Sequence, residues 1–436
     1  MKIAWFTPLS QRSAIARFSI AVTAQLSKLA DVELWCFDDD ETRPCSLPVK
    51  RFRSAAAVKD HVLQTYDLAI YNFGNYVPFH RDIYLVSKQR PGICILHDFI
   101  MHHFFAGYYL NELRNPAAYE LLIERTYGLS LSAGERIWES NQVVQYPLFE
   151  EAIGGALGVI THSSFFRRHV EECFAGPVTS IPLAYEVQPA DPENSRAKLG
   201  LGPDQTVALT VGHVNPNKQI ERVISAFAQL DLPPNSFVYA VAGQTSPQYE
   251  RTLRSAARQA GLGEVVRFLG HVSDEVLSSY LSAADFCVNL RFPTMEGASA
   301  SVIEEMLLGK PVVVTDTGFF SELPDDCVIK IAPADDAGLA GALRKLVEDS
   351  SSRRQMGARA KAYAGNQFTA EAYAKGVIEF AWQVQAMKPL LTLADAVGAE
   401  LSRMGAAAES KVVDQCAREI NATFVANSST NNPGDP

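Results

Sequence analysis

The sequence contains no run of apolar residues near the roughly 20 that a helix needs to cross a bilayer. Cysteine is sparse and unpatterned. The seven residues, at 36, 45, 94, 173, 287, 327 and 416, are odd in number and show no CxxC spacing. This argues against a disulfide framework or a structural zinc and fits a reducing cytosol. An excess of positive charge is also missing. Lys and Arg total 39 against 49 Asp and Glu, a formal net charge of −10, whereas a general nucleic-acid binder needs a basic surface. No GxxxxGK[ST] loop supports a nucleoside-triphosphatase, and no HExxH motif supports a zinc site. The apolar run Met1–Phe6 is too short for a signal-peptide core and reads as a first strand. Without a secretory route, the sequons at Asn421 and Asn427 carry little weight.

What is present is ordinary globular material: 47% hydrophobic and 20% charged residues over 436 positions. A chain of this length usually divides its core, so two domains are expected. In the first half, the apolar runs Ile3–Phe6, Val32–Phe37, Leu68–Tyr71, Ile93–Leu96 and Leu157–Ile160 alternate with helical patterns such as Ile15–Leu29. The turn Asp38-Asp39-Asp40 ends the second run, and residues 103–150 read as aromatic-rich helices and loops. A proline-punctuated connector, with Pro189, Pro192 and Pro203, spans Pro182–Pro203. The pattern then restarts with strands at Val207–Val211, Phe237–Ala242, Val265–Leu269, Phe286–Leu290 and Pro311–Thr315. Alternating strands and helices predict two doubly wound α/β domains, with ligands at the carboxyl ends of the strands. In the C-terminal region Val397, Leu401, Met404, Ala408, Val412, Cys416 and Ile420 form one helical stripe, expected to pack on the body. A membrane-surface or partner helix is the other reading of that stripe.

The chemistry concentrates between Pro293 and Asp316. Here the loop Glu296-Gly297-Ala298-Ser299 leads into a helix carrying Glu304 and Glu305, followed by Gly309-Lys310-Pro311. Small residues let a ligand approach backbone amides where a helix begins, and the helix dipole favours phosphate there. Two carboxylates eight residues apart, Glu296 and Glu304, suit a ligand that is both anionic and hydroxyl-rich. Glu305 reads instead as a solvated acid. A second phosphate signal is Gly212-His213-Val214-Asn215-Pro216-Asn217-Lys218, directly after a strand. Gly212 permits a close turn, and Lys218 can set an ammonium beside a diphosphate.

With the lysine turn, Phe268-Leu269-Gly270, Ala284-Asp285, the Glu-x7-Glu pair and Gly309-Lys310-Pro311, the chain resembles the retaining glycosyltransferases of family 4. The resemblance implies a GT-B fold, two facing Rossmann-like domains with an interdomain cleft. It further implies a nucleotide-diphosphate sugar donor, UDP- or GDP-linked, and a metal-free retaining transfer with no other cofactor. In that family Glu304 would bind the nucleotide ribose, Glu296 the donor sugar and Lys218 the diphosphate. His213 stands where the family commonly carries arginine, so its imidazole supplies charge only when protonated. Ser13 and Ala14 follow the first strand at the family's glycine-bearing loop, and Ala14 replaces the usual glycine. Phe73-Gly74-Asn75 and His80 follow the Leu68–Tyr71 strand. His97, with Asp98 orienting it or the acceptor hydroxyl, is expected at the transfer centre.

The catalytic set so expected is His97, Asp98, His213, Lys218 and Glu296. The donor contacts are Ser13, Ala14, Gly212, His213, Lys218, Glu296, Gly297, Ala298, Ser299 and Glu304. His97, Asp98, His102 and His103 lack metal-site spacing, and Thr161-His162-Ser163 suits a capping or supporting role. The expected domains are 1–185 on the acceptor side, 186–370 binding the nucleotide sugar, and C-terminal helices over 371–420. The first of these helices would return to the N-terminal domain, and a disordered tail would cover 421–436. The expected partners are the donor and a carbohydrate or lipid-linked glycan acceptor, with no nucleic acid. Location is expected in the cytoplasm, with peripheral membrane association and oligomeric state left open. A non-catalytic carbohydrate-binding homologue and a sugar-nucleotide epimerase or phosphorylase are the alternative functions.

Overall fold

The computed structural model describes residues 1–37, 42–132, 135–139, 141–187, 191–233, 236–407 and 410–428. The Asp38-Asp39-Asp40 turn, Pro189 and residues 429–436 lie outside them. Among the described residues, two parallel sheets organise the chain. The first holds β1 (Lys2–Phe6), β2 (Asp31–Phe37), β3 (Val49–Phe52), β4 (Leu68–Phe73), β5 (Ile93–Leu96), β6 (Gly158–Thr161) and β7 (Val178–Ser180), in the order 3-2-1-4-5-6-7. The second holds β8 (Thr206–Val211), β9 (Phe237–Ala242), β10 (Val266–Gly270), β11 (Phe286–Asn289), β12 (Val312–Thr315) and β13 (Val328–Ile331), in the order 10-9-8-11-12-13.

Helices cover both faces of the central strands, which is why β4, β5, β9, β11 and β12 are buried along their whole length and read as continuous apolar runs. The strands absent from the sequence reading, β3, β7 and β13, sit at or next to sheet edges. There Val-Lys-Arg-Phe, Val-Thr-Ser and Val-Ile-Lys-Ile bury only part of their side chains, so no apolar run marks them. Strand order reverses between β1 and β4 in one sheet and between β8 and β11 in the other. The loops leaving these four strands are therefore splayed apart and available to a ligand.

The C-terminal region departs from the single stripe expected of it. The helix Ala370–Arg403 buries Tyr373, Ala374, Val377, Phe380, Ala381 and Val384 and packs against the helix Ala14–Leu26 of the first domain. Gly158 makes room for it, since a Cβ there would lie 2.7 Å from Val384. The helix still touches the body at Lys388, which donates to the Asp67 carbonyl, and at Leu391; past these it is largely exposed and ends at Gly405, whose φ of 78° suits glycine. A second helix, Lys411–Ser428, follows and packs on the first. The stripe is thus broken, and its members Met404 and Val412 are exposed rather than packed on the body. The expected tail boundary at 421 is likewise corrected, because helix continues to Ser428. No helix among the described residues is long and apolar enough to cross a membrane.

Candidate active site

The two sheets present their carboxyl edges to one cleft of about 1940 Å³. From the first domain its wall receives Ser13 and Ala14 after β1, Gly74 and Asn75 after β4, and His97 and Asp98 after β5. From the second it receives His213 after β8, and Glu296, Ala298 and Glu304 after β11. The Glu-x7-Glu pair and the histidine loop, some 200 positions apart in sequence, thus face each other. They also touch: Asp98 and Glu296 form an antiparallel backbone bridge. Ile100 N–H donates to the Met295 carbonyl at 3.2 Å, and Gly297 N–H donates to the His97 carbonyl at 3.1 Å. The Gly297 amide itself is thus engaged by the His97 carbonyl, which leaves other amides at the start of the helix Ala300–Leu307 as the ones a phosphate could meet. Ser299 is spent similarly, its hydroxyl capping the helix Ala300–Leu307 by accepting from Val302 N–H.

Lys218 is also placed differently from the expectation. Its ammonium lies beneath Gly212, buried, and donates to the Val211 carbonyl, while the exposed side chain on the cleft wall is His213. Gly212 holds φ 105°, a backbone conformation that L side chains rarely adopt, and a Cβ there would lie 2.9 Å from the Lys218 ammonium. Burial depresses the Lys218 pKa strongly, and the nearby Arg291 adds to the effect, against opposing pulls from Glu296 and Glu305.

Arg291 was not singled out by motif. It is 5% exposed, and its Nε donates to Glu296 Oε1 at 2.8 Å, while Nη1 donates to the Leu290 carbonyl at 3.0 Å. Burial alone would raise the Glu296 pKa. The Arg291 charge and hydrogen bond, helped by Lys218, outweigh it and hold the carboxyl below its ordinary range. Glu296 therefore meets the cleft as a carboxylate. Glu304 has the opposite balance: burial raises it, and the Tyr185 hydroxyl, donating to Oε2 at 3.2 Å, only partly offsets this. Glu305 is not the solvated acid it resembled. It is fully buried, accepts from Asn289 Nδ2 at 3.2 Å, and is pushed up to about 8 by desolvation.

On the opposite wall His97 lies between Asn72 Oδ1 and His162 Nε2, at 3.0 and 3.1 Å. Asp98 accepts from Asn75 N–H at 2.9 Å. His102 is turned away into the core, between the Tyr146 carbonyl and the Tyr119 hydroxyl. Among the described residues no group of three or more His, Cys, Asp or Glu converges as a metal site. The signal for Asn72, Arg291 and Tyr185 was faint, because a polar residue at a strand end or in a connector has many structural uses.

Two Rossmann-like domains facing across such a cleft define the GT-B fold. Residues 191–363 match the family model described as glycosyl transferases group 1. Over 199 residues the chain is 30% identical to the D-inositol 3-phosphate glycosyltransferase of Nocardia farcinica, covering 44% of each chain. It is 24% identical over 195 residues to the alpha-monoglucosyldiacylglycerol synthase of Streptococcus pneumoniae, covering 45% of this chain and 43% of that one. The chain therefore spans less than half the length of these curated relatives. Among solved structures, Anabaena HepE in complex with UDP and glucose superposes with a TM-score of 0.61 at 18% identity, covering 88% of this chain and all of that one. Sucrose-phosphate synthase from Thermosynechococcus elongatus gives 0.63 at 18% identity, covering 88% of this chain and 99% of that one. At these identities the likeness is one of fold.

Proposed function

We propose that the protein is a retaining glycosyltransferase of the family 4 type. It moves a sugar from a UDP- or GDP-linked donor to a carbohydrate or lipid-linked acceptor, in polysaccharide or glycoconjugate synthesis on the cytoplasmic side. The observation that carries this reading is the pair Glu296 and Glu304 on one wall of a cleft whose other wall holds His97 and Asp98. The group 1 match over 191–363 supports it, because that stretch contains both carboxylates. The UDP and UDP-glucose complexes of HepE support a uridine donor. The names of the curated relatives support a phosphorylated polyol or a diacylglycerol lipid as acceptor.

In a retaining transfer without a covalent intermediate, the acceptor oxygen attacks on the face from which diphosphate departs. The main demand on the protein is then to stabilise charge on the leaving group. His213 stands on the wall where that charge develops, with Lys218 and Arg291 as positive charge behind Gly212. Glu296, held ionised by Arg291, accepts hydrogen bonds from donor-sugar hydroxyls, and Glu304 accepts from the ribose once Tyr185 yields its place. His97 and Asp98 face the sugar and the incoming acceptor.

A thermal-shift panel of UDP-, GDP- and ADP-sugars, followed by product mass and anomeric analysis, tests the assignment. Glu304→Ala is expected to weaken binding of UDP or GDP alone by about 1.5–3 kcal/mol, the range for a lost charged hydrogen bond. Glu296→Ala should spare the bare nucleotide and damage binding or turnover of the intact donor. Equal affinities in both variants and wild type, or product with an inverted anomeric centre, would overturn the corresponding assignment.

A further inference from the structure

Four hydrogen-bond contacts run in line across the first domain, from the Phe6 carbonyl to the Ile181 carbonyl, and pass the cleft wall at His97 and His162. Asn72 Nδ2 donates to the Phe6 carbonyl at 2.9 Å. Asn72 Oδ1 faces His97 Nε2 at 3.0 Å, and His97 Nδ1 faces His162 Nε2 at 3.1 Å. His162 Nδ1 faces the Ile181 carbonyl at 3.3 Å. Both ends of the line are carbonyl oxygens, which only accept. Making every contact a hydrogen bond takes one proton per contact. Asn72 supplies the one toward Phe6, so the two imidazoles must supply the other three. Two neutral imidazoles carry only one N–H each. The line is complete only if the pair holds one extra proton, shared across the Nδ1···Nε2 contact. Turning the Asn72 amide around does not help, because it sets Oδ1 against the Phe6 carbonyl instead.

The surroundings pull in both directions. Phe18 places its ring 4.8 Å from that of His97 and 5.8 Å from that of His162, and Tyr373 lies 5.8 Å from His162. Aromatic rings tolerate an adjacent cation. Against this, burial depresses both imidazoles, His162 to about 4 and His97 well below its ordinary value, with the charge of His162 and of His80 adding to the effect on His97. His80, on the helix Val77–Gln89, bonds to the Asn72 carbonyl at 3.0 Å. The acidic groups nearby are Asp98, next in sequence to His97, and Glu296, bridged to Asp98 from the second domain. With the cleft empty, desolvation wins and one contact in the line lacks its proton. An anion in the cleft supplies the missing counter-charge.

We propose that Asn72 and His162 are positioning residues for His97, and that the His97–His162 pair takes up one shared proton when a nucleotide diphosphate enters the cleft. This rests on the reading of the cleft as a nucleotide-sugar site. The completed line locks the His97 ring in one orientation and puts a positive charge on the wall facing the donor. When the diphosphate leaves, the proton is released and the ring loses one anchor. The sign of the linkage follows. Uptake of a proton on binding makes affinity fall as pH rises, by up to about tenfold per pH unit between the free and bound pKa values of the pair.

The test is calorimetric titration of the full chain with UDP and with GDP, at one pH, in buffers of different ionisation enthalpy. The wild type is expected to take up about one proton more than His162→Gln, since a glutamine amide satisfies a neutral His97. Protons taken up by His213, Asp98 or Glu304 are common to both proteins and cancel in the difference. Ring-15N spectra of histidine-labelled wild type serve if the variant does not fold. With nucleotide bound, three of the four nitrogens of the pair should be protonated, with a coupling between the two imidazoles across the shared hydrogen bond. Binding with equal proton uptake in both proteins, or two neutral rings in the bound state, overturns the proposal and leaves the functional reading standing. Failure of both nucleotides to bind overturns the functional reading and this proposal with it.

Discussion

Asp98 sits where a carboxylate is costly. Burial pushes its pKa up to about 6, the hydrogen bond from Asn75 N–H works against that, and the charge of Glu296 adds to it. The folded-state value is above the ordinary value near 3.9, so the folded form prefers the protonated acid. The stability this lends is fully present below the unfolded pKa and is lost as pH rises through about 6. Asp98→Asn keeps an acceptor for Asn75 and removes the charge. It is expected to be more stable than wild type by about 2 kcal/mol at pH 8, with the difference vanishing toward pH 4. Denaturant titrations at the two pH values check this, and a pH-independent difference would contradict it. If Asp98 orients His97 or the acceptor hydroxyl, the same variant should lose turnover while gaining stability, as strained functional sites do.

Between elements, the decisive contact is the pairing of loop 295–297 with loop 97–100, which ties the donor-side carboxylate to the histidine wall. Gly297 is required there, because a Cβ would lie 2.9 Å from the His97 carbonyl oxygen and 3.3 Å from that of Leu96, both backbone atoms. Other contacts join the domains as well, besides the Tyr185–Glu304 hydrogen bond. Glu322 accepts from Ser164 and Phe165 N–H at the start of the helix Ser164–Glu171, and Arg17 pairs with Asp274. Gly297→Ala must push the loops apart while leaving both cores intact. Opening this pairing costs about one net hydrogen bond, so amide exchange at Gly297 and Ile100 should accelerate about tenfold. Transfer efficiency should fall with it. Exchange at wild-type rates would show that the bridge does not couple the two walls.

For the molecule as a whole, the cleft lies between two domains that share part of one apolar core, running from Ile3 and Ile95 through Leu183 to Val207 and Leu209, and a ligand that bridges the cleft stabilises both. Saturation with the accepted nucleotide at about 100 times its Kd should add about 2.7 kcal/mol to the stability of the folded state. Transfer should persist after thorough chelation, because protein groups, Arg291 foremost with Lys218 and His213 beside it, are proposed to serve the leaving group. Activity abolished by chelator and restored by one divalent ion would reject that arrangement. Among the described residues, the exposed outer part of the helix Ala370–Arg403 and the helix Lys411–Ser428 contribute nothing to the cleft wall.

The sequence by itself determined the two α/β halves, because strands buried on both faces must be apolar along their whole length and helices must alternate with them. It singled out Glu296, Glu304 and the turn around Gly212 as candidate points of chemistry, because small residues and acids at strand ends have few other uses together. Edge strands such as β3 and β13 escaped, since one-sided burial leaves no continuous apolar run. Only tertiary structure decided which groups are free. Lys218 turned inward to the Val211 carbonyl, the Gly297 amide went to His97, and Glu305 went under Asn289 rather than into water. The same holds for Arg291, Tyr185 and the line from Asn72 through His97 to His162. Their partners lie between 5 and 119 positions away in sequence. Burial and hydrogen-bond supply, which set the charge of every one of these groups, are properties of the packed molecule and not of any local stretch of chain.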